Sequence, residues 1–198
     1  ALQKPRYKMK ILFMGTPDFA AVALSAICDA GEDVIGVITL PDRPVGRGYK
    51  LTPSAVKVCA LERNIPVYQP TTLKGEEFAA LLDSIAPELI IVAAYGKILP
   101  KNVLDYPRYG CINIHGSLLP ESRGAAPMQR AIIDGKPFTG ITTMMMDVGL
   151  DTGDILLTER VDILPEDNFE TIHDKMAEVG GSLMLKTIEA IRAGSLVR

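Results

Sequence analysis

Hydrophobic positions along the chain fall into continuous runs more often than into strict alternation. Met9–Met14 (MKILFM) is a short apolar run closed by Gly15, and it predicts a buried strand. Thr16-Pro17-Asp18 then supplies a helix start, with proline near the first helical position, and an Ala- and Leu-rich segment continues to about Ala30 before Gly31. Asp33–Thr39 reads as a second strand, while Leu40–Thr52 is dominated by Pro, Gly and Arg and reads as a loop. Ser54–Arg63 is expected to be helical and Val67–Tyr68 a short strand. Gly75–Ile85 carries Phe78, Leu81, Leu82 and Ile85 at helical spacing, and Leu89–Ala94 is again a continuous apolar strand.

Gly110–His115 predicts a further strand whose carboxyl end is polar. Ala126–Ile133 reads as a helix, Gly140–Met146 and Ile155–Val161 as strands, and about Asn168 to Ala193 as a final helix. Apolar runs without alternation suit strands covered on both faces. Their regular alternation with helices predicts an α/β doubly wound fold, a mostly parallel sheet flanked by helices. In such sheets ligands bind outside the carboxyl ends of the strands, which directs attention to the residues after Met14, Thr39, Ala94 and Ile114.

Composition narrows the class. A length of 198 residues suits one large domain with a core that needs no metal or disulfide staple. The net charge of -3 gives no global attraction to polyanions, so a nucleic-acid partner would need a local basic patch. Cys28, Cys59 and Cys111 match neither a zinc site nor a disulfide framework, and reduced thiols in a cytoplasmic protein are the simplest expectation. No apolar run approaches a membrane span, so no membrane partner is expected. Ala1–Lys8 lacks an apolar signal core and is expected to be a leader or flexible tail ahead of the 9–198 domain.

Four segments could carry chemistry. Asn113 and His115 lie two apart on a strand and so face one side, where an amide and an imidazole can serve a developing oxyanion. Equally, His115 could satisfy a buried carbonyl and Asn113 a turn. Asp147, Asp151 and Asp154 with Gly149 and Gly153 make a polar loop whose spacing is not that of an EF-hand, so no metal is expected. A carboxylate from that loop could hold His115 protonated, or the loop could simply be solvated. Leu40–Lys50 sets Arg43, Arg47 and Lys50 against Asp42, a pattern open to phosphate contact or to a plain flexible surface. Gly15-Thr16-Pro17-Asp18-Phe19 stands where a dinucleotide fingerprint would stand, but G-x-G-x-x-G is absent, which argues against NAD. His173 is expected at the surface and Met144–Met146 in the core of a strand.

Taken together the motifs resemble those of the 10-formyltetrahydrofolate-dependent formyltransferase family, which has a Rossmann-like fold. The family's Asn-x-His strand followed by Ser-Leu-Leu-Pro is matched by Asn113, His115 and Ser117–Pro120, and its Gly-x-Asp-x-Gly loop by Gly149–Gly153 around Asp151. Further matches begin at Gly15 (GTPDF), Pro41 (PDRPVGRG), Ala94 (AYGKILP) and Arg123 (RGAAP). The resemblance implies formyl transfer from 10-formyltetrahydrofolate with Asn113, His115 and Asp151 as catalytic residues. It places the folate against Ala94, Tyr95, Gly96, Ile98 and Leu99, Ser117, Leu118, Leu119 and Pro120, and Met145 and Asp147. The basic loop is similar to that of members acting on charged tRNA. It implies the α-amino group of initiator methionyl-tRNA as acceptor, with Arg43, Arg47 and Lys50 on the RNA, and a monomeric cytoplasmic enzyme of translation initiation.

Two departures stand out. Full-length members carry a C-terminal β-barrel that helps grip tRNA, and this chain is expected to stop before it. Glu121-Ser122 occupies a place where a basic and an aromatic residue are usual. The alternatives are a 10-formyltetrahydrofolate hydrolase, a formyltransferase acting on another amine, and a non-catalytic RNA-binding module. The basic loop weighs against the hydrolase.

Overall fold

The computed structural model describes residues 7–121, 123 and 126–196. Ser122 and the Gly124-Ala125 pair of the RGAAP motif lie outside the described residues, as do positions 1–6 and 197–198. Strand β1 (Lys10–Gly15) is followed by α1 (Asp18–Asp29), β2 (Asp33–Ile38), the short strands β3 (Arg43–Val45) and β4 (Lys50–Thr52), α2 (Ala55–Glu62) and β5 (Val67–Tyr68). The chain continues through α3 (Glu76–Ile85), β6 (Leu89–Ala93), α4 (Lys101–Leu104), β7 (Cys111–His115), α5 (Pro127–Ile133), β8 (Phe138–Met145), β9 (Ile155–Asp162) and α6 (Phe169–Arg192).

Seven strands form one sheet in the order β5-β2-β1-β6-β7-β8-β9. The first five are parallel, and β8 and β9 add antiparallel partners beyond β7. The chain moves outward from β1 to β2 and β5, then returns to the other side for β6 and β7. The reversal falls between β1 and β6, where a doubly wound sheet opens a crevice.

Alternation along the central strands serves two cores. Ile11 and Phe13 of β1, Ile91 of β6, and Ile112 and Ile114 of β7 bury against α1 and α6. Leu12 and Met14, Ile90 and Val92, and Cys111 bury on the other face with Phe78 and Leu82 of α3 and Val103 and Leu104 of α4. Both faces being apolar explains the continuous hydrophobic runs. The same period sends Asn113 and His115 to the α3 side, at the carboxyl end of β7. Helix α6 starts at a reciprocal cap, Asn168 accepting from the Thr171 amide and the Thr171 hydroxyl accepting from the Asn168 amide, each at 3.0 Å. It crosses α1 at Gly181, where a Cβ would come within 2.7 Å of Ala26 Cβ.

The structure revises two sequence expectations and adds one element, α4, for which the sequence had suggested none. Leu40–Thr52 is not all loop, because β3 and β4 pair antiparallel with Arg43 opposite Thr52 and Val45 opposite Lys50. Val45, Leu51 and Thr52 are adequate strand formers on either side of the Gly46–Tyr49 turn, and the surrounding Pro and Gly hid them. Helix α4 has four residues, too few to show a period. His173 is half-buried on α6, its ring edge-on to Phe19 at 6.3 Å between centroids.

Candidate active site

A cavity of about 360 Å³ lies at the carboxyl ends of β6 and β7 and beside the end of β8, next to the strand-order reversal. Five separated segments line it. The loop after β6 contributes Ala94, Tyr95, Lys97, Ile98 and Leu99; the end of β7 contributes Asn113, Ile114, His115 and Gly116. The end of β8 and its loop bring Met144, Met146 and Asp147–Asp151, and α1 and α5 bring Phe19, Pro127 and Met128.

His115 Nδ1 stands 3.5 Å from Asp151 Oδ1, and both side chains are only 10% exposed. Asn113 shares the cavity, one pleat before His115 on the same face. The loop that delivers Asp151 is closed from within. Asp147 Oδ1 accepts hydrogen bonds from the Thr152 hydroxyl at 2.6 Å and the Gly149 amide at 2.9 Å, and these hold its carboxyl below the usual range. At the base, the Met145 amide donates to the Asp154 carbonyl at 2.8 Å. Gly153 must be glycine there, since a Cβ would lie 1.6 Å from the Met145 carbonyl oxygen. Asp151 itself adopts φ +51° and Ala94, across the cavity, φ +45°. A non-glycine residue in this region costs about 1–3 kcal/mol, and such strain gathers at functional sites.

The Ala94–Leu99 loop is also tied down. The Thr16 hydroxyl donates to the Tyr95 carbonyl at 2.9 Å, and Lys97 Nζ donates to the Thr71 carbonyl at 2.6 Å. Gly96, at φ +98°, seats its backbone over Leu40 and shapes the loop without lining the cavity. Burial pushes the Tyr95 phenol up to about 12. Burial likewise pushes the Cys111 thiol up to about 12, so the cysteine on the site's own strand stays protonated.

Several expected folate contacts fall elsewhere. Met145 points away from the cavity: a Cβ on Gly110 would meet its sulfur at 2.6 Å. The two-residue period puts Met144 and Met146 on the cavity in its place. Ser117, Leu118, Leu119 and Pro120 do not line the cavity either. Thr142 of β8 donates to the Ser117 carbonyl at 2.7 Å and accepts from the Leu119 amide at 3.0 Å, folding the segment onto β8. Leu118 packs there against Gly140. Phe19, Met128 and Met144 were not anticipated. Phe19 alone was signalled, by its place just after the first strand.

Arg43, Arg47 and Lys50 are exposed on the β3–β4 hairpin and do not line the cavity. Asp42 at the hairpin's foot accepts from Gln69 Nε2 at 2.7 Å and from Lys57 Nζ at 3.0 and 3.1 Å, and both donors hold its carboxyl below the usual range. Among the described residues no three His, Cys, Asp or Glu side chains form a metal-binding group, and no helix is long and apolar enough to cross a membrane.

An amide, an imidazole and a carboxylate meet in this cavity, an arrangement able to stabilise charge that develops on an oxygen. Comparison with known proteins gives the family. A sequence profile described as formyl transferase matches residues 9–188, and the chain belongs to that family. The methionyl-tRNA formyltransferase of Marinobacter nauticus is 55% identical over 188 residues, 95% of this chain and 60% of that protein. That of Pelotomaculum thermopropionicum is 52% identical over 190 residues, 96% of this chain and 61% of the relative. The chain thus spans about 60% of the length of these curated relatives. Among solved structures, glycinamide ribonucleotide transformylase 1 from Symbiobacterium toebii aligns with a TM-score of 0.79 at 20% identity, covering 100% of this chain and 93% of that one. A formyltetrahydrofolate deformylase from Pseudomonas syringae pv. tomato aligns at 0.78 with 21% identity, covering 97% and 64% respectively. These two likenesses establish the Rossmann-like fold.

Proposed function

We propose that the chain transfers a formyl group from 10-formyltetrahydrofolate to the α-amino group of methionyl-tRNA, as a cytoplasmic enzyme of translation initiation. The observation that carries the reading is the enclosed His115–Asp151 pair beside Asn113 in the switch-point cavity. Family membership and the names of the relatives support the same donor and acceptor.

Attack of the neutral amine on the formyl carbon forms a new carbon–nitrogen bond and places negative charge on the formyl oxygen. Asn113 Nδ2 and the His115 ring are the donors for that oxygen, and their worth is largest where water is excluded. Asp151 compensates positive charge on the ring and, through a water, takes the proton from the attacking nitrogen. The electron pair of the breaking carbon–nitrogen bond returns to the folate nitrogen, which receives that proton.

The residues present fit a flat heterocycle. The cavity is of the right order for a small-molecule site, apolar for the most part, and edged by the backbone of Ala94–Leu99 and Asp147–Asp151. Ile98, Val148 and Leu150 at its rim are 86%, 75% and 75% exposed, an apolar margin that a bound ring would cover. Arg43, Arg47 and Lys50 are assigned to the phosphates of the acceptor end.

Formyl transfer to methionine-charged initiator tRNA, measured beside formate release without acceptor, tests the reading. Transfer with little formate is the expected result. Rapid acceptor-independent formate release would instead make the protein a hydrolase.

A further inference from the structure

We infer that Asp42, Lys57 and Gln69 are positioning residues for the acceptor RNA. They clasp the root of the β3–β4 hairpin and so set where its cations emerge relative to the catalytic cavity. The inference rests on the RNA reading of that hairpin given above.

The hairpin leaves the sheet after β2 and rejoins the body at α2, and both ends of this excursion are pinned. Thr39 directly follows β2 and Ser54 directly precedes α2, and their hydroxyls stand 2.6 Å apart. Ser54 also caps α2, accepting from the Lys57 amide at 3.1 Å. Just inside this pair, Lys57 Nζ donates to the two Asp42 carboxylate oxygens at 3.1 and 3.0 Å and to Gln69 Oε1 at 3.0 Å. Gln69 closes the ring, its Nε2 donating to Asp42 Oδ1 at 2.7 Å and to the Leu40 carbonyl at 3.1 Å. Helix α2, the segment after β5 and the hairpin's foot thus meet on one carboxylate.

The root also reaches the cavity. Leu40 packs on Gly96 of the Ala94–Leu99 loop, where a Cβ would come within 3.0 Å of Leu40 Cδ1. Thr16 joins the same parts: its hydroxyl donates to the Tyr95 carbonyl at 2.9 Å, and its carbonyl accepts from the Val56 amide of α2 at 3.3 Å. Hairpin root, α2 and cavity loop therefore form one connected body.

Two physical points assign the clasp to positioning. The Lys57 and Asp42 side chains are 22% and 28% exposed, and a pair as open to water as this adds little to stability. An acid at the foot of a basic hairpin also works against phosphate binding through its charge. Its place is explained by what it holds. The clasp fixes the root and leaves the exposed residues 43–52 to adapt to the RNA.

The test measures kcat/KM of the intact protein for methionine-charged initiator tRNA. Asp42→Ala, Lys57→Met and Gln69→Met move the net charge upward, downward and not at all. Opening the clasp lowers kcat/KM by about tenfold in all three, with folate affinity and thermal unfolding near those of wild type. A role through charge alone predicts opposite signs instead, with Asp42→Ala a better RNA binder and Lys57→Met a worse one. The Asp42→Ala, Lys57→Met double variant stays within about twofold of either single one, because the clasp is already open. Opposite signs, or losses that multiply in the double variant, overturn the clasp and leave formyl transfer standing. So does a parallel loss of folate affinity, which would make these residues general supports of the fold. If Asp42→Ala is poorly folded, the comparison of neutral Gln69→Met with Lys57→Met decides: equal losses support the clasp, and wild-type kcat/KM in Gln69→Met overturns it. Failure of wild type to formylate the tRNA overturns the RNA reading on which the clasp rests.

Discussion

In the cavity, functional side chains arrive from the ends of β7 and β8, the loop after β6, and helices α1 and α5. Among them His115 and Asp151 are only 10% exposed. In the β3–β4 hairpin the cations proposed to meet RNA come from consecutive residues 43–52, which form a two-stranded sheet of their own with every residue exposed. The cavity places His115 and Asp151 at a set separation and accepts two left-handed non-glycine residues to do so. The hairpin sets its cations on a surface that salt and water reach freely. Bond-making needs a geometry held before the substrate arrives, whereas a phosphate backbone can be met by adaptable charges. The two regions should accordingly fail in different ways when altered.

The largest expected effect lies in the cavity. Asp151→Asn keeps the side-chain shape but removes the carboxylate, and kcat should fall by about 10²–10⁴ while folate affinity holds. Turnover and equilibrium binding measured on one preparation check this, and parallel losses in both would mean that Asp151 merely supports the fold. Gly153→Ala comes next. It leaves every proposed catalytic side chain in place but drives a Cβ into the Met145 carbonyl. The loop must shift, and a displacement of about 1 Å can cost about 10²-fold in rate. Wild-type kcat in this variant would show that the loop needs no such precision.

Replacing Arg43, Arg47 and Lys50 together by alanine should raise KM for tRNA by about ten- to a hundredfold at low salt and leave kcat nearly unchanged. The slope of log KM against log salt should shrink by about two to three, roughly one unit per lost phosphate contact. A salt-independent loss, or one in kcat alone, would erase the distinction between the regions. The smallest effect lies outside both. Lys175, first, and the Leu164 amide hold the Asp167 carboxyl at about 2, below its ordinary 3.8. Because the folded value is the lower one, the interaction contributes stability above pH 3.8 and loses it as pH falls toward 2. Acid unfolding of Asp167→Asn should lack that part of the pH dependence, and identical profiles would contradict the assignment.

What the sequence revealed followed the reach of each signal. Unbroken runs such as Leu89–Ala94 made the two-faced sheet readable, and a two-residue period put Asn113 and His115 on one face. The same period, carried on to Met144 and Met146, would have turned Met145 away from the site. Nothing local joined Asp151 to His115. Their meeting depends on β8 pairing with β7 and on a loop closed by Asp147 and Thr152; the residues suggested some carboxylate of that loop for His115, and only the family resemblance singled out Asp151. Phe19 and Met128 escaped notice because an apolar residue looks the same whether it lines a cavity or a core. Ser117–Pro120, expected at the folate, is held by Thr142, a hydrogen-bond partner that no spacing rule identifies.

The central claim is that the cavity around His115 and Asp151 stabilises the charge formed during formyl transfer, and single-turnover transfer by Asn113→Ala with saturating folate and methionyl-tRNA tests it most directly. Loss of one oxyanion donor should slow the single-turnover rate by about 10²–10³ with folate binding unchanged. A wild-type single-turnover rate would contradict the account.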